Sequence, residues 1–512
     1  MRKIVIDGSN TTGFQRTCVV ALNGEVKVDS KKIPIEHVSL EEDAARKTGT
    51  KGFTVFYRVD RLCVPLVEVA TAPVIHTPQE AEKVALAIGR VMRATGRVRR
   101  GLGTIRQDLN ISTRDGALIE IKGVQELELV GKIVEYEVQR QLKLLKVRDE
   151  LKTRGLKGED LCEEFVDATQ VFAKTNCGII QKAVNQDKCV LAVKLPKFAG
   201  LLGIELIRGL RLGTEMADRA RFWGRVGGIL HTEELPTYGV TEDEIKRLKD
   251  LLKAGPEDAA VLVADTEANA KDALRAVIER AKEALKGVPE ETRAPNPDGT
   301  THYMRPRPGA ARMYPETDVP PIAVTAAHVR QLSSRLPMPP EQKTEWLIRE
   351  YGLNEKLARQ VMDSPYGDLF EVIVNEADVS PTVVAATLTE TIKALKRDGV
   401  DIERITDEKI AELFRLIGSE KTSKEAIPEI LTWLSKHEGA RPLDAVEFLG
   451  LATISREQLE RIIDDLIKKN AVVIKEKGPK AFGFLISLVM KDYRGKVNAD
   501  LVTKIIKGKL LE

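Results

Sequence analysis

The chain has 512 residues, more than one hydrophobic core usually serves, so three or more domains are expected. Lysine and arginine total 80 against 77 aspartates and glutamates, a formal net charge of +3. The overall charge therefore excludes a general attraction for nucleic acid, and any RNA contact must come from local patches.

Membrane attachment and secretion are not predicted. No apolar run approaches the length of a transmembrane helix, and the N-terminal residues lead into a strand rather than a signal peptide, which favours a cytoplasmic protein. The five cysteines are odd in number, scattered and without a Cys-x-x-Cys pair, so we expect buried free thiols in a reducing cytosol. They are Cys18, Cys63, Cys162, Cys177 and Cys189.

The chain begins with a predicted strand over residues 3–7 and a small, hydroxyl-rich loop. This loop carries Ser9, Thr11 and Thr12, and it could approach a phosphate, although an ordinary surface loop is the alternative interpretation. It is not a Walker loop, because no Gly-Lys-Ser/Thr follows. Residues 17–28 predict a hairpin that turns at Asn23-Gly24.

Two segments, residues 104–111 and 119–122, alternate polar and apolar side chains as strands do. Because residues two apart share a face, one polar face is expected. In the first segment and the residue after it, this face carries Arg106, Asp108, Asn110 and Ser112. A three-residue turn over 114–116, with Gly116 in the left-handed region, would set Asn110 opposite Glu120 and Asp108 opposite Lys122. A two-residue turn would place the two polar sets on opposite faces.

A solvated sheet face with cross-strand ion pairs is the ordinary interpretation of such alternation. Glu68 argues against it, because it lies within the apolar run 64–70, where a charge needs a partner or a metal. Glu41, Glu42 and Asp43 add carboxylates upstream. Carboxylates without a cysteine and histidine ligand set suit a hard cation such as Mg²⁺ rather than zinc.

Two helices are predicted around this polar face. The first begins with a capping box at residues 77–80, buries Val84, Ile88 and Val91, and stops at Gly96. The second is expected over residues 126–145, with one face formed by Val130, Val134, Val138 and Leu142. A basic run lies between them and is either a solvated face or a binding site for a triphosphate or an RNA end. It consists of Arg90, Arg93, Arg97, Arg99 and Arg100.

The character of the chain changes near Leu161. Residues 165–285 predict a separate α+β unit, followed by a linker over 287–299 that is rich in Pro, Asn and Gly. Residues 303–318 are too rich in Pro and Gly for regular structure, and their arginines and acids suggest a loop that returns to the first domain's site. From residue 341 onward the pattern is almost entirely helical. It ends with a basic cluster of Lys491, Arg494 and Lys496, which belongs either to an ordinary charged bundle or to one that contacts RNA.

Several motifs together resemble the GatB/GatE family, in particular the E-type subunit of the archaeal glutamyl-tRNA(Gln) amidotransferase. The motifs in the first part of the chain are EEDAAR (41–46), PLVEVAT (65–71), GTIRQDLNIS (103–112), EIKGVQ (120–125) and YMRPRPGAARMYPETD (303–318). The motifs GTEMADRAR (213–221) and GGILH (227–231) are similar to the insertion domain of bacterial aspartyl-tRNA synthetases. KAFGFL (480–485) with Gly495-Lys496 resembles the family's tRNA-binding tail domain. The resemblance covers nearly the whole chain.

The resemblance implies a multidomain α+β protein with a mixed-sheet catalytic domain. The implied divisions are a catalytic kinase and transamidase domain (1–164), an aspartyl-tRNA-synthetase-like insertion (165–286), a return segment (287–325), a helical domain (326–445) and a tail domain (446–512). It also implies a carbon–nitrogen ligase that acts on glutamate esterified to tRNA(Gln). ATP phosphorylates the side-chain carboxylate, and ammonia from an asparaginase-like partner, the D-type subunit of the amidotransferase, then displaces phosphate. The implied assembly is a heterotetramer with two copies of each chain.

By match to the family's motifs, Glu42 and Glu68 would be Mg²⁺ ligands. Arg106, Asp108, Asn110 and Lys122 would line the same pocket. The hydroxyl-rich loop, independently of the family motifs, offers Ser9, Thr11 and Thr12 as contacts to ATP. Lys491, Arg494 and Lys496 would contact tRNA phosphates.

One departure from the family pattern concerns the start of the chain. Family members begin with a Gly-Leu-Glu-Ile-His strand and a zinc-binding cysteine cluster, and neither occurs in this sequence. This departure leads us to expect an exposed sheet edge, an incomplete metal site, and tRNA binding without glutaminyl product. A non-catalytic tRNA-binding scaffold is therefore the competing interpretation. An aspartyl-tRNA synthetase is a weaker one, because only the insertion is shared.

Overall fold

The computed structural model describes residues 2–3, 14–15, 17–43, 45–51, 54–99, 101, 103–307, 320–454, 456–477, 481–493, 495–497 and 499–511. The chain forms two units, one of residues 1–89 with 102–323 and one of residues 90–101 with 324–512. The strand and loop expected over residues 3–13, and most of the return segment 303–318, lie outside the described residues.

The strands are β1 (Arg2–Lys3), β2 (Phe14–Gln15), β3 (Thr17–Val28), β4 (Lys31–Glu42), β5 (Arg46–Lys51), β6 (Thr54–Arg58), β7 (Pro65–Thr71), β8 (Gln107–Ile111), β9 (Ile119–Val124), β10 (Val166–Asp167), β11 (Cys189–Leu195), β12 (Glu205–Ile207), β13 (Leu210–Arg211), β14 (Leu230–His231), β15 (Ala259–Asp265), β16 (Glu291–Pro295) and β17 (Thr301–Pro306).

The helices are α1 (Pro78–Ala94), α2 (Leu127–Thr153), α3 (Gly178–Val184), α4 (Leu212–Gly224), α5 (Glu242–Leu251), α6 (Glu267–Lys286), α7 (Ala326–Ser333), α8 (Pro340–Tyr351), α9 (Glu355–Asp363), α10 (Gly367–Glu376), α11 (Pro381–Ala386), α12 (Ile392–Arg397), α13 (Asp407–Gly418), α14 (Ile427–Leu434), α15 (Pro442–Phe448), α16 (Arg456–Lys469), α17 (Ala471–Lys477), α18 (Ala481–Tyr493) and α19 (Ala499–Leu511).

Two sheets of the first unit concern the site. One has the strand order β3-β4-β7, and the other, of mixed type, has the order β17-β16-β9-β8. β9 pairs antiparallel with β8 and parallel with β16. The expected multidomain α+β class with a mixed sheet is confirmed.

The hairpin expected over residues 17–28 is wrong. β3 runs without interruption to Val28, pairs with β4, and turns at residues 29–30. Asn23 has a positive φ of 58° inside the strand, but the Asn-Gly pair does not end β3. Pairing with β4 outweighs the local turn preference of this pair.

The predicted β8–β9 register is confirmed from Leu109 to Ile111, but a register shift between Gln107 and Leu109 places Asp108 at a bulge. Asn110 lies opposite Glu120, and Lys122 Nζ donates to Asp108 Oδ2 at 2.8 Å. The expectation that Gly116 adopts a left-handed backbone conformation is wrong, because Gly116 is not among the glycines with positive φ. A Cβ at this position would instead lie 2.2 Å from Gln141 Oε1 and 2.4 Å from Thr113 Oγ1. Close approach of α2 therefore requires the glycine.

The helix predictions are partly confirmed. Thr77 Oγ1 accepts from Glu80 N at 3.1 Å, and Gly96, with φ 65°, lies just after α1. α2 is longer than expected, extending to Thr153. Val91 and Leu142 are exposed and not buried.

The segment expected to be a linker, residues 287–299, contains β16, and β17 follows it, so part of the predicted irregular region is a strand. β16 pairs with β9, which returns this part of the chain to the mixed sheet. Residues 166–286, which lie between β9 and β16 in the chain, contain a second four-stranded sheet of order β10-β11-β15-β14. This sheet packs with α4 and α6 in one core, to which the C-terminal half of α2 also contributes.

A buried cluster of charges lies between α2, α4, α6 and β16. Arg140 donates to Glu137 Oε2 at 2.8 Å and to Glu215 Oε1 at 2.7 Å. Arg280 reaches Glu215 Oε2 at 2.8 Å. Each of these four side chains is at most 3% exposed. The arginines lower the pKa of Glu215 well below its usual value, although desolvation opposes them.

The cluster continues onto β16. Arg219 Nη2 lies 2.7 Å from Glu291 Oε2, and Arg293 pairs with Glu291 and lies 3.5 Å from Glu215 Oε1. No sequence pattern indicated this cluster. Glu215 and Arg219 belong to the motif at residues 213–221, so their place in it explains two of that motif's charged positions.

In the second unit the helices form two hydrophobic clusters. One contains buried residues between Leu347 and Leu451, and the other contains buried residues between Leu459 and Ile506. The basic run, which begins within the last part of α1, belongs to this second unit, where Arg90 forms an ion pair with Asp363. In the part of the chain that the structure describes, no helix is long and apolar enough to cross a membrane.

All five cysteines are free thiols. The expectation that they are buried is wrong for Cys18, Cys63 and Cys162, which are exposed.

The buried cluster predicts a large and specific loss of stability. Glu215→Gln leaves three buried guanidinium groups without their shared carboxylate, so we expect the free energy of unfolding to fall by about 3–5 kcal/mol at neutral pH. Because the pKa of Glu215 is depressed in the folded chain, the stabilisation is present above the ordinary pKa of glutamic acid and is lost as the pH falls. Denaturant unfolding of both proteins at several pH values measures this.

The matched control is Glu279→Gln on the same helix as Arg280. Glu279 pairs with Lys282 at 2.9 Å, but its side chain is 58% exposed. Its loss should cost no more than about 0.5 kcal/mol. Equal effects of the two substitutions would contradict the importance of burial.

Candidate active site on the mixed sheet

The polar face predicted for β8 and β9 exists. Arg106, Asp108 and Asn110 are exposed, whereas Ile111 on the opposite face is buried. The apolar face packs against α2 through Val130 and Ile133. Because one face of these strands packs on a helix, their polar face remains accessible for binding a ligand.

Lys122 lies at the centre of this face. Its Nζ donates to Asp108 Oδ2 at 2.8 Å and lies 2.9 Å from Glu120 Oε1. Asp108 Oδ1 also accepts from Gly123 N at 2.8 Å, which fixes the carboxylate. Desolvation opposes the charge of Lys122, but the two carboxylates outweigh it and raise the pKa of the ammonium. Lys122 is therefore protonated at neutral pH.

Thr292 on β16 is a site residue that the sequence did not indicate. It is fully buried, lies opposite Glu120, and donates from Oγ1 to Glu120 Oε2 at 3.0 Å. Glu120 is thus held on one oxygen by Lys122 and on the other by Thr292. The only available signal was the suggestion that a later segment returns to the first domain, because pairing of distant strands has no local pattern.

Glu68 lies on the neighbouring sheet, and its carboxylate is close enough to Asp108 and Lys122 for their charges to act on its pKa. β7 is largely exposed rather than buried, so its apolar run is not a core strand. Glu68 lies opposite Ser39 of β4, which places Glu41 and His37 on the same face. Glu42 lies opposite Pro65, on the other face. The register thus brings Glu41, and not Glu42, beside Glu68.

The carboxylate of Glu68 has charges of both signs near it, with Glu41 and Asp108 acting to raise its pKa. Partial burial of the carboxylate raises its pKa most, followed by the charge of Glu41, while His37 and Lys122 act in the opposite direction. A raised pKa means that the ionised carboxylate lacks sufficient neutralising charge in its surroundings. A bound cation would supply that charge.

The donor set fits Mg²⁺ in one of its usual forms. Within the described residues no group of three or more His, Cys, Asp or Glu side chains could hold a metal ion by itself. Mg²⁺ commonly keeps several waters and binds one or two carboxylates together with substrate phosphates. Glu68 with Glu41 supplies two carboxylates on one face, which suits that mode and does not suit a metal held by protein ligands alone.

The remaining predicted site residues are placed as follows. Ser9, Thr11, Thr12 and Arg494 lie outside the described residues. Lys491 is exposed at the end of α18, and Lys496 is partly exposed just before α19. Lys496 O accepts from Ile454 N at 3.0 Å, which attaches the segment between the last two helices to the residues before α16.

Comparisons with known proteins identify the family of the chain. Residues 1–330 match the model of the GatB/GatE catalytic domain, and residues 368–510 match that of the GatB domain. The polar face, Glu68 and Thr292 all lie within the first match. The matched family defines the class of the chain as a tRNA-dependent amidotransferase subunit, a ligase.

Individual relatives point to the same class. The chain is 49% identical to the E-type subunit of glutamyl-tRNA(Gln) amidotransferase from Methanocaldococcus jannaschii, over 100% of this chain and 81% of the relative. It is 46% identical to the corresponding protein of Aeropyrum pernix, over 100% of this chain and 80% of the relative. It is 48% identical to that of Thermococcus gammatolerans, over 100% and 81%. The chain belongs to the GatB/GatE family.

The site predicts an unusual pH dependence of stability for Glu68→Gln. Because the pKa of Glu68 is raised in the folded chain, its contribution to stability is present below the ordinary pKa of glutamic acid and is lost as the pH rises through the raised value. We therefore expect the variant to have the higher Tm near neutral pH, with the difference shrinking as the pH falls. Mg²⁺ should raise the Tm of the wild type and not that of the variant.

Thermal melts across this pH range, with and without Mg²⁺, measure both effects. Glu36→Gln, at an exposed position on β4, is the control and should change neither. A lower Tm of the Glu68 variant near neutral pH would show that the carboxylate is already neutralised by protein groups.

Proposed function

We propose that this chain is the part of a tRNA-dependent amidotransferase that converts Glu-tRNA(Gln) to Gln-tRNA(Gln). ATP phosphorylates the glutamyl side-chain carboxylate, and ammonia then displaces phosphate to give the amide. The observation that carries the proposal is the arrangement of charges on this face. A protonated Lys122, held by Asp108 and Glu120, lies close enough to Glu68 to act on its pKa, and Glu41 lies on the same face as Glu68. The whole arrangement lies in the part that matches the GatB/GatE catalytic domain.

The chemistry requires charge placement rather than a covalent nucleophile. Phosphoryl transfer spreads negative charge over the oxygens of the group in transit, and catalysis consists mostly of positioning and electrostatic stabilisation. Lys122 supplies a fixed positive charge, and its two carboxylate partners keep it oriented. Mg²⁺, held by Glu68 and Glu41, would neutralise phosphate charge. Asn110 and Arg106, exposed on the same face, would contact the substrate.

The cofactors and partners of the proposal follow the family. ATP and Mg²⁺ are the cofactors, and Ser9, Thr11 and Thr12 are proposed to contact the nucleotide. The partners are Glu-tRNA(Gln) and the asparaginase-like D-type subunit that supplies ammonia, in a heterotetramer with two copies of each chain. Residues 165–286 are proposed as an insertion like that of bacterial aspartyl-tRNA synthetases, residues 326–445 as a helical domain and residues 446–512 as a tail domain that binds tRNA.

The central test is amide formation on Glu-tRNA(Gln) with ATP, Mg²⁺ and saturating ammonia, which removes the need for a partner. Lys122→Met should lower the rate by ~10²-fold or more, because it removes the fixed charge while keeping the length of the side chain. Lys83→Met, at an exposed lysine paired with Asp29, is the control and should keep the wild-type rate. A loss of less than threefold for Lys122→Met would contradict its role. Amide from the wild type would overturn the expectation, drawn from the start of the sequence, of tRNA binding without product, whereas no amide would favour a tRNA-binding scaffold.

The tail assignment has its own test. Replacing Lys491 and Lys496 together by alanine should weaken tRNA binding and reduce the slope of log K against log salt by roughly one unit for each phosphate that is no longer neutralised. Filter binding at several salt concentrations measures the slope. The control is Lys356→Ala, whose side chain is 76% exposed in the same unit. An unchanged slope would mean that these lysines are solvated surface residues.

A further inference from the structure

Arg305 on β17 occupies a position that simple alternation along the strand does not predict. Thr301 and Tyr303 are buried, which would place Arg305 on the buried face as well. The register shifts, however, between two successive pairs with β16: Arg293 lies opposite Tyr303, but Thr292 lies opposite Arg305. Met304 is therefore the extra residue of a β-bulge, and the bulge re-aims Arg305 toward the face of Thr292.

This register places Arg305 in a row with the site residues. Arg305 lies opposite Thr292, Thr292 lies opposite Glu120, and Glu120 lies opposite Asn110. Two strand spacings, roughly 10 Å, separate the backbone of Arg305 from that of Glu120. A guanidinium on this face can thus reach the groups around Lys122.

The state of the guanidinium also points to a ligand. Arg305 Nε is buried and has no hydrogen-bond partner within the described residues. Among those residues Arg305 forms no ion pair either, in contrast to Arg293 on the other face of the sheet, which pairs with Glu291. A buried donor that lacks an acceptor is costly, and an oxygen of a bound ligand would relieve that cost.

The charges of the site indicate which ligand. Lys122 shares its charge between Asp108 and Glu120, so it balances only part of the charge of a further anion, and Arg106 and Arg305 are further arginines on this face. The planar fork of a guanidinium matches phosphoryl and carboxylate oxygens in a bidentate manner. Arg305 is the arginine that the bulge turns onto this face.

We infer that Arg305 binds the phosphoryl group that passes from ATP to the glutamyl carboxylate, an inference that rests on the proposed function. In the transfer, the bond from phosphorus to the ADP oxygen breaks and a bond from phosphorus to a carboxylate oxygen forms. Arg305 makes and breaks no covalent bond. It donates hydrogen bonds to the non-bridging oxygens and thereby neutralises their charge.

The test compares Arg305→Met and Arg305→Lys with the wild type. Amide formation under saturating ammonia should fall by ~10²-fold or more in Arg305→Met, as when other electrostatic interactions with a transferring group are removed. Arg305→Lys should retain an intermediate rate. Added methylguanidinium should restore part of the activity of Arg305→Met, which a purely structural role would not allow. Arg275→Met is the control, since Arg275 is an exposed arginine with Nε 3.0 Å from Glu163 Oε2, and it should stay within twofold of the wild type.

Calorimetric measurement of the binding of a non-hydrolysable ATP analogue with Mg²⁺ distinguishes two roles of Arg305, contact with the phosphates of bound ATP and contact with the group in transit. A loss of affinity in Arg305→Met means that the guanidinium holds the phosphates of bound ATP, whereas an unchanged affinity with a slower rate means that it acts on the group in transit. A rate within threefold of the wild type would overturn the inference. A loss of rate that methylguanidinium does not restore, together with a lower Tm of both Arg305 variants, would overturn it as well.

Failure of the proposed function would be distinguishable from failure of this inference. If the wild type makes no amide, the amidotransferase proposal falls by itself. The calorimetric measurement then tests Arg305 by itself. A weaker affinity of Arg305→Met for the analogue supports a phosphate-binding guanidinium, and an equal affinity overturns the inference.

Discussion

The first unit depends on a cluster of charges that is almost completely removed from water. Arg140, Glu215, Arg280 and Arg293 come from α2, α4, α6 and β16, and each side chain is at most 3% exposed. Taking charges out of water is costly unless every one of them is paired and hydrogen-bonded. The four elements must therefore meet in one arrangement, because a shift of any of them would leave a buried charge without its partner.

This constraint acts on the site through β16. Successive residues of a strand point to opposite faces, so Glu291 and Arg293 enter the charge cluster while Thr292 points to the polar face and holds Glu120. The parallel pairing of β16 with β9 also requires a long crossover connection, and residues 125–290 supply it. The α+β unit of residues 166–286 lies inside that connection, and its helices α4 and α6 provide part of the charge that fixes β16.

Local signals failed where long-range pairing competed with them. Asn23-Gly24 is a strong turn signal, but β3 continues through it because each side of the pair finds partners on β4. Gly116 suggested a left-handed turn, whereas the approach of Gln141 from α2 is what excludes a side chain there. The family motif indicated Glu42 as the second metal-binding carboxylate beside Glu68, but the antiparallel register places Glu42 on the other face of the sheet. In each case the interaction that determines the structure involves a residue of a different strand or helix.

The sequence by itself determined the family, the α+β class, the polar face of β8 and β9, and the register that joins Asp108 to Lys122. These features depend on alternation, on turn length and on motifs whose residues are close together in the chain. Only the tertiary structure decided that Glu41 is the neighbour of Glu68, that Thr292 supports Glu120, and that buried arginines and glutamates join the first unit. Alternation has a period of two within one strand and carries no information on which distant strand lies alongside it, so the partner of each side chain follows from packing.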